Sequence, residues 1–545
     1  MSVDQMDRMR LEGTDRPAAL AALTGHALQA FLRNPMAAFF TLVFPLIFLV
    51  IVSAIVGDQT TEGGVPISQF LVAPFAVFGV AQASFTLVAT DTAILRERGV
   101  LLRLRAAPVA PRIILAARIC ASAVVAGFTV LLLTAVGVLA YDVQVVWNKV
   151  PAALVTLLLG IGCCTALGLA LAASIRTVTA TQALAQGLLI PLAFISDVFI
   201  VGADLPRPLA WLGSFLPLKH LAGAMAETFE PGDGAGFSPG HLAALVAWTL
   251  AGILLARLRF GWQPRERVTG ERAVEMAPRS LRKDLSAPRR RIGNSSFVLF
   301  RGQVSYALLG LRRDVLSVFF AVVFPALLLA LFPAVFGDAR VHGLTMAQYL
   351  FAGLAAYTVA VTAFVDMPEG VVGARSTGVL KRLLGTPLPF RWYVAGRVCA
   401  ALVVALLGIA VLAAIGLSFL GVRIDLARLP AMLVTVTLGS LCFSALGLAV
   451  AALLPAARSL VAVTLGTLMP LCFLSEIFVV GDRPLPGTIT AVADVFPLRH
   501  LLQALLTATG PGTAGAGFAW WHLAVLAVWA SLGLVVPRLR RSSLM

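Results

Sequence analysis

FLRNPMAAFFTLVFPLIFLVIVSAIVG at residues 31–57 returns as GLRRDVLSVFFAVVFPALLLALFPAVFG at 310–337. Working outward, RGVLLRLRAAP at 98–108 returns as TGVLKRLLGTP at 377–387, PLAFISDVFIVG at 191–202 as PLCFLSEIFVVG at 470–481, and FLPLKH at 215–220 as VFPLRH at 495–500. Most matched positions differ by 279, as Gly99 and Gly378 or Arg118 and Arg397 do; the early and late matches, Phe44 with Phe324 and His220 with His500, differ by 280. An echo this long and in phase is an internal duplication. One chain supplies two like halves, a common plan for a transport pathway.

Apolar residues make up 59% of the chain, charged residues 12%, and the mean hydropathy is +0.93. A soluble domain cannot hide that much apolar surface, and a bilayer-crossing helix needs about 20 apolar residues. The fold class is therefore all-α and polytopic, with about twelve transmembrane helices. The spacing predicts spans near 36–57, 68–91, 111–140, 151–174, 179–201 and 238–257, then 315–336, 347–366, 390–420, 430–454, 459–480 and 518–536. The third span of each half is too long for one straight crossing, so it tilts or extends beyond the membrane. Residues 1–257 form the first half and 297–545 the second; 258–296, Arg-rich with Pro and Gly, read as a cytosolic tether. Weaker apolar stretches at 19–35 and 297–314 suit helices lying in the interface.

The net charge of +16 does not point to nucleic acid, because Lys and Arg sit in short segments between apolar runs. The segment 92–112 holds Arg96, Arg98, Arg103, Arg105 and Arg112 and its twin Arg375, Lys381, Arg382 and Arg391, whereas 58–66 has only Asp58 and Glu62. By the positive-inside rule the basic side is cytoplasmic, as are both termini. The six Cys all lie in apolar runs and read as packed membrane residues rather than a disulfide framework or metal site. Residues 1–30 do not read as a cleavable signal peptide.

Two regions carry candidate chemistry. In ILRERGVLLRLRAAP, Arg96 and Arg103 are seven apart and share one face of a helix, with Gly99 and Leu102 between; the second copy offers Arg375, Gly378, Lys381 and Arg382. A short basic amphipathic helix on the cytoplasmic side docks a soluble partner or lies on the membrane surface; the paired Gly and the terminating Pro108 and Pro387 favour docking. At the outer end of the fifth spans, broken apolar segments hold Asp197, Lys219 and His220, matched by Glu476, Arg499 and His500. Such segments survive at membrane depth only against protein or a water-filled cavity. Asp197 and Glu476 are either functional intramembrane acids or interfacial acids reaching the headgroups. The histidines lack any nucleophile or metal motif and read as interfacial residues. Glycines such as Gly168 and Gly447 in the fourth spans allow close helix packing.

The sequence contains no phosphate-cradling G-x-x-x-x-G-K-[ST] loop, and the spans lack the carboxylate and His chains of a proton pump; Asp91 and Asp366 close their second spans without aligning. Power for transport is expected from another protein.

These residues resemble the six-span permeases of the ABC-2 type exporters, once in each half. The marks are the interfacial stretch, Phe44-Pro45 in the first span, the RERGVLLRLRAAP loop and the Pro-started fifth span followed by FLPLKH. They are similar to the family's elbow helix, first span, coupling helix and outer re-entrant hairpin, and the fusion of two halves resembles the tetronasin-type antibiotic exporters. The chain departs from the family's pattern at Ser196-Asp197 and Ser475-Glu476, where many relatives carry Leu-Ser-Gly, and at Arg313-Asp314, which lacks the proline of Asn34-Pro35. The resemblance implies two pseudo-twofold-related permease repeats in the cell membrane. It implies no catalytic, cofactor or metal site in this chain, with ATP and Mg held by a separate ATP-binding cassette subunit present in two copies. It implies docking of one cassette at each of residues 94–105 and 373–384, and outward movement of a hydrophobic antibiotic or drug. Export of a lipid or glycan envelope component, and ion-coupled transport by the chain alone, are the alternatives.

Overall fold

The computed structural model describes residues 16–56, 60, 65–106, 111–199, 206–261, 296–337, 340–386, 388–454, 457–478, 487–510 and 515–539. The tether from 262 to 295 and the prolines at 108 and 387 lie outside the described residues. Each half opens with an interfacial helix, Arg16–Leu32 and Ser296–Arg313. The chain then enters the first span through a side-chain cap. Asn34 Oδ1 accepts from the Ala37 amide and Asp314 Oδ1 from the Ser317 amide, each at 3.3 Å. Asn and Asp both satisfy an orphan helix donor, so the second half starts its span without the proline of the first.

Eleven helices among the described residues are long and apolar enough to cross a membrane, and the remaining expected span is the helix Ala457–Leu474. Its counterpart is Val178–Ile195. The third spans are unbroken helices, Pro111–Tyr141 and Phe390–Phe419, of 31 and 30 residues. At 1.5 Å per residue each is about 45 Å long, well past the hydrocarbon thickness. Apart from one antiparallel pair, Arg340–Val341 with Leu344–Thr345, the described regular structure is almost wholly helical. That hairpin turns through His342 and Gly343, both at positive φ.

The second spans, Ser68–Glu97 and Met346–Ser376, are the axis of each half, with 89% and 94% of their apolar windows buried. The sixth spans, Pro239–Arg259 and Trp520–Pro537, are only 11% and 17% buried and form an exposed apolar rim. Single π-turns recur at matched places: Phe39–Val43 and Phe319–Val323 in the first spans, Gln82–Thr86 and Val361–Asp366 in the second. Beside each second-span π-turn the fourth span approaches through a glycine. A Cβ on Gly168 would sit 2.6 Å from the Phe85 carbonyl oxygen, and one on Gly447 2.9 Å from that of Phe364. The packing of second on third span is also repeated, but with its partners exchanged. Gly79 receives the Thr129 methyl, whereas in the second half Gly408, the twin of Thr129, receives the methyl of Thr358, the twin of Gly79. Either order fills one methyl-sized gap, which is what close packing demands.

The halves meet where the fifth span of each crosses the first span of the other. Gly187 faces the Phe319 ring and Gly466 the Phe39 ring, at 3.5 and 3.3 Å from a notional Cβ. Phe48 packs on Phe473 with centroids 4.6 Å apart, and Phe194 on Phe332 at 5.7 Å. Matched contacts on the two sides make the arrangement pseudo-twofold.

Two expected boundaries move. The second spans continue past Asp91 and Asp366 to Glu97 and Ser376, because the helix is enclosed by protein there and its charges face a cavity rather than lipid. The fifth spans stop at Ile195 and Leu474, short of 201 and 480, because Asp197 and Glu476 adopt left-handed φ of 57° and 64°.

Candidate functional site

At the end of the bundle that carries the Arg-rich loops, each second span breaks at a glycine. Gly99 (φ 67°) and Gly378 (φ 72°) take the left-handed conformation that a side chain disfavours. The chain thereby leaves the span axis and starts a separate short helix, Val100–Ala106 in one half and Val379–Leu384 in the other. One leucine anchors each helix, Leu101 at 3% exposure and Leu380 at 1%; Leu380 packs among Met367, Val371 and Tyr393. Leu102 and Arg103, and their twins Lys381 and Arg382, point outward and are exposed.

The break corrects one expectation. Arg96 and Arg103 do not share a helix face, because the Gly99 turn puts them on different helices. Arg96 is buried and inward-facing, donating to the Ala172 and Ile175 carbonyls at 2.5 and 2.6 Å. It neutralises the carbonyl end of the fourth span, where a cation is favoured. Its neighbour Glu97 accepts from the Val178 amide at 3.1 Å and so holds the start of the fifth span. Arg375, the twin of Arg96, is half-buried. The short helix of the first half is thus tied to the junction of the fourth and fifth spans.

Above these helices a cavity of about 920 Å³ opens between the halves. The first-half interfacial helix, both second spans, and the ends of the first, third and fifth spans line it. Its walls mix apolar groups such as Phe320, Val365 and Leu465 with Asp91, Glu97, Arg98, Arg118, Asp314, Asp366 and Glu369. Arg118 donates to Asp91 at 2.9 Å. The twin positions break this pair: Arg397 faces Gly370, and stacks instead on the Tyr393 ring at 5.6 Å.

At the opposite end, the fifth span turns into a short helix and then a second one that returns along the bundle: Arg207–Phe215 with Pro217–Phe229, and Gly487–Ala493 with Pro497–Thr509. The expected acids and cations meet there. Lys219 pairs with Asp197 at 3.2 Å, and Arg499 with Glu476 at 2.9 Å and with Asp494 at 2.7 Å. The two pairs differ in depth. The Lys219 and Asp197 side chains are 28% and 35% exposed, those of Arg499 and Glu476 only 13% and 6%. Each pair clips the left-handed turn to the returning helix. Leu221 and Leu501 on that helix fill against Gly160 and Gly439 of the fourth spans.

Several partners at this end were not read from the sequence. His220 meets His241 of the sixth span, Nδ1 to Nδ1 at 3.0 Å, and His500 meets His522 at 2.8 Å. His500 Nε2 also lies 2.8 Å from the Asp494 carbonyl, so Nε2 carries its proton and His522 Nδ1–H donates to His500 Nδ1. Burial and the His241 imidazole hold His220 below its ordinary pKa. Lys149 is buried and donates to the Glu227 and Glu230 carbonyls; its twin Arg428 donates to Gly510. Gln69 bridges Gln144 and Phe229, as Gln348 bridges Arg423 and Thr509. The 149/428 and 69/348 coincidences in the duplicated sequence were the available signal. Among the described residues no group of three or more His, Cys, Asp or Glu could hold a metal ion.

Comparison with curated proteins gives no match. The family model described as ABC-2 type transporter matches residues 18–229 and again residues 303–509. These two matches cover most of the chain and fall one on each structural half. This multi-pass membrane protein, a permease by its architecture, belongs to the ABC-2 type transporter family.

Proposed function

We propose that the chain is the complete membrane pathway of an ATP-driven exporter, moving a hydrophobic antibiotic or drug outward across the cell membrane. The ATP and Mg chemistry belongs to a separate ATP-binding cassette subunit, two copies of which dock on Val100–Ala106 and Val379–Leu384. The Arg-rich end and both termini face the cytoplasm. One observation carries the reading: a glycine-hinged basic helix, anchored by one buried leucine, recurs in both halves at the end where the cavity opens. Leu102, Arg103, Lys381 and Arg382 form the docking faces, while Arg96 passes motion inward through its grip on the fourth span. Closure of two cassettes moves the two short helices together and shifts the bundle between inward-open and outward-open states, which must differ in substrate affinity. The clipped hairpins around Asp197, Lys219, His220, Glu476, Arg499 and His500 form the outer gate.

Co-purification with the cassette subunit tests this. Arg103→Glu combined with Arg382→Glu is expected to abolish capture of the subunit while leaving the permease monodisperse. Undiminished capture with full ATP-dependent transport contradicts the docking assignment.

A further inference from the structure

The cavity between the halves differs in charge from the rest of the protein. The chain carries +16, yet the cavity lining has five carboxylates against two guanidinium groups. Arg118 is committed to Asp91. Asp366 and Glu369 make no ion pair among the described residues, and Asp366 Oδ2 is buried from solvent without a hydrogen-bond partner. A buried carboxylate oxygen with no protein partner is costly and calls for water, an ion or a ligand to satisfy it.

The placement is also one-sided. Asp366 and Glu369 lie three residues apart, so both sit on one face of the second span of the second half. Their twins in the first half are Leu87 and Thr90, and the twin of Asp314 is Asn34. A symmetric dimer of six-span chains would carry each acid twice or not at all. The fused chain puts unpaired acids on the second-half side of the cavity and the charge-balanced set Asp91, Glu97, Arg98 and Arg118 on the first-half side, with Phe320, Val361 and Leu465 lining the second-half side beside the acids.

We infer that the cavity is a binding site for a lipophilic organic cation, its charged nitrogen or phosphonium centre held by Asp366 and Glu369 and its apolar body by the surrounding side chains. The size fits, since drug-sized ligands occupy pockets of roughly 300–1,000 Å³. A bound cation and the ionised carboxylates stabilise one another more strongly in a low-dielectric cleft than in water, and an anion finds no such partner there. The assignment rests on the exporter reading above and narrows its substrate to one charge class.

Direct binding tests it without the cassette subunit or ATP. Full-length protein in nanodiscs is titrated with rhodamine 6G, a lipophilic cation, and with N-phenylnaphthylamine, a neutral lipophile. Asp366→Asn with Glu369→Gln is expected to weaken rhodamine 6G binding by at least about tenfold and to leave the neutral probe unchanged. Glu369→Gln alone should show a smaller loss in the same direction, should the double variant fail to fold. Equal binding of the cation by the double variant, absence of cation binding to the unaltered protein, or equal loss of both probes overturns the inference. Any of these could coexist with ATP-dependent efflux of a neutral drug, which would leave the exporter reading standing.

Discussion

Removing Arg499 should damage this protein far more than removing Lys219, although the two cations hold the same position in the repeat. Each pairs with the acid that closes the fifth span, Glu476 or Asp197. The Glu476 side chain is 6% exposed, and among the described residues Arg499 is its ion-pair partner; Tyr349 Oη binds its backbone carbonyl, not its carboxylate. Arg499→Ala leaves that carboxylate buried and unpaired, which costs about 3–5 kcal/mol. The second arginine contact, to Asp494 at 56% exposure, adds little. The Asp197–Lys219 pair is open to solvent on both sides, so Lys219→Ala costs at most about 1 kcal/mol. Unfolding followed by near-UV signal during detergent-denaturant titration reads both. A double-mutant cycle with Glu476→Gln should return most of the Arg499→Ala loss, because it removes the stranded charge. Equal losses for Arg499→Ala and Lys219→Ala, or no recovery in the cycle, would refute the account of how depth sets the strength of the clip.

Other consequences can be measured in the same preparation. Gly99→Ala and Gly378→Ala meet no steric obstruction, so each should cost only the left-handed backbone penalty of about 1–2 kcal/mol, while lowering cassette-stimulated transport; Asn, which tolerates that conformation, should be milder at both sites. Gly79→Thr alone should destabilise the first half, whereas Gly79→Thr with Thr129→Gly reproduces the exchanged packing of Thr358 and Gly408 and should recover thermal stability. Gly447→Ala drives a Cβ against the Phe364 carbonyl and the Pro368 ring at 2.9 and 2.8 Å, and should lower thermal stability by several degrees. His220 is held below its ordinary pKa, so the unfolded chain binds its proton first as pH falls. The stability it contributes is complete above the unfolded pKa of about 6.5 and is lost as pH drops through the depressed folded value. A melting scan from pH 7.5 to 5 should show this loss, and His220→Gln should make it smaller.

The duplication makes most of the architecture legible in the sequence. Twelve spans, two interfacial helices and the outer hairpins follow from apolar run lengths and from segments that occur twice. The pairing of position 197 with 219 and of 476 with 499 was foreshadowed by their shared charge pattern. What the sequence hid has two physical causes. Hydropathy stops counting at a charge, so the second spans were cut at Asp91 and Asp366, although a helix enclosed by protein can carry carboxylates into a cavity. Heptad spacing says nothing when a left-handed glycine intervenes, so Arg96 was placed on the exposed face with Arg103 although it is buried as a cap. Lys149 carries no local signal in the sequence; only the fold shows that it terminates the returning helix. The partners His241 and His522 lie about 21 residues from the histidines they meet, on a different span, and no local pattern joins them.

Vectorial transport by purified protein in sealed vesicles tests the central claim most directly. With rhodamine 6G as cargo, the chain reconstituted with its cassette subunit and ATP should accumulate cargo against its gradient, and the chain alone should only let it equilibrate. Sustained uphill movement by the chain alone would contradict a conduit of two matched halves driven from outside.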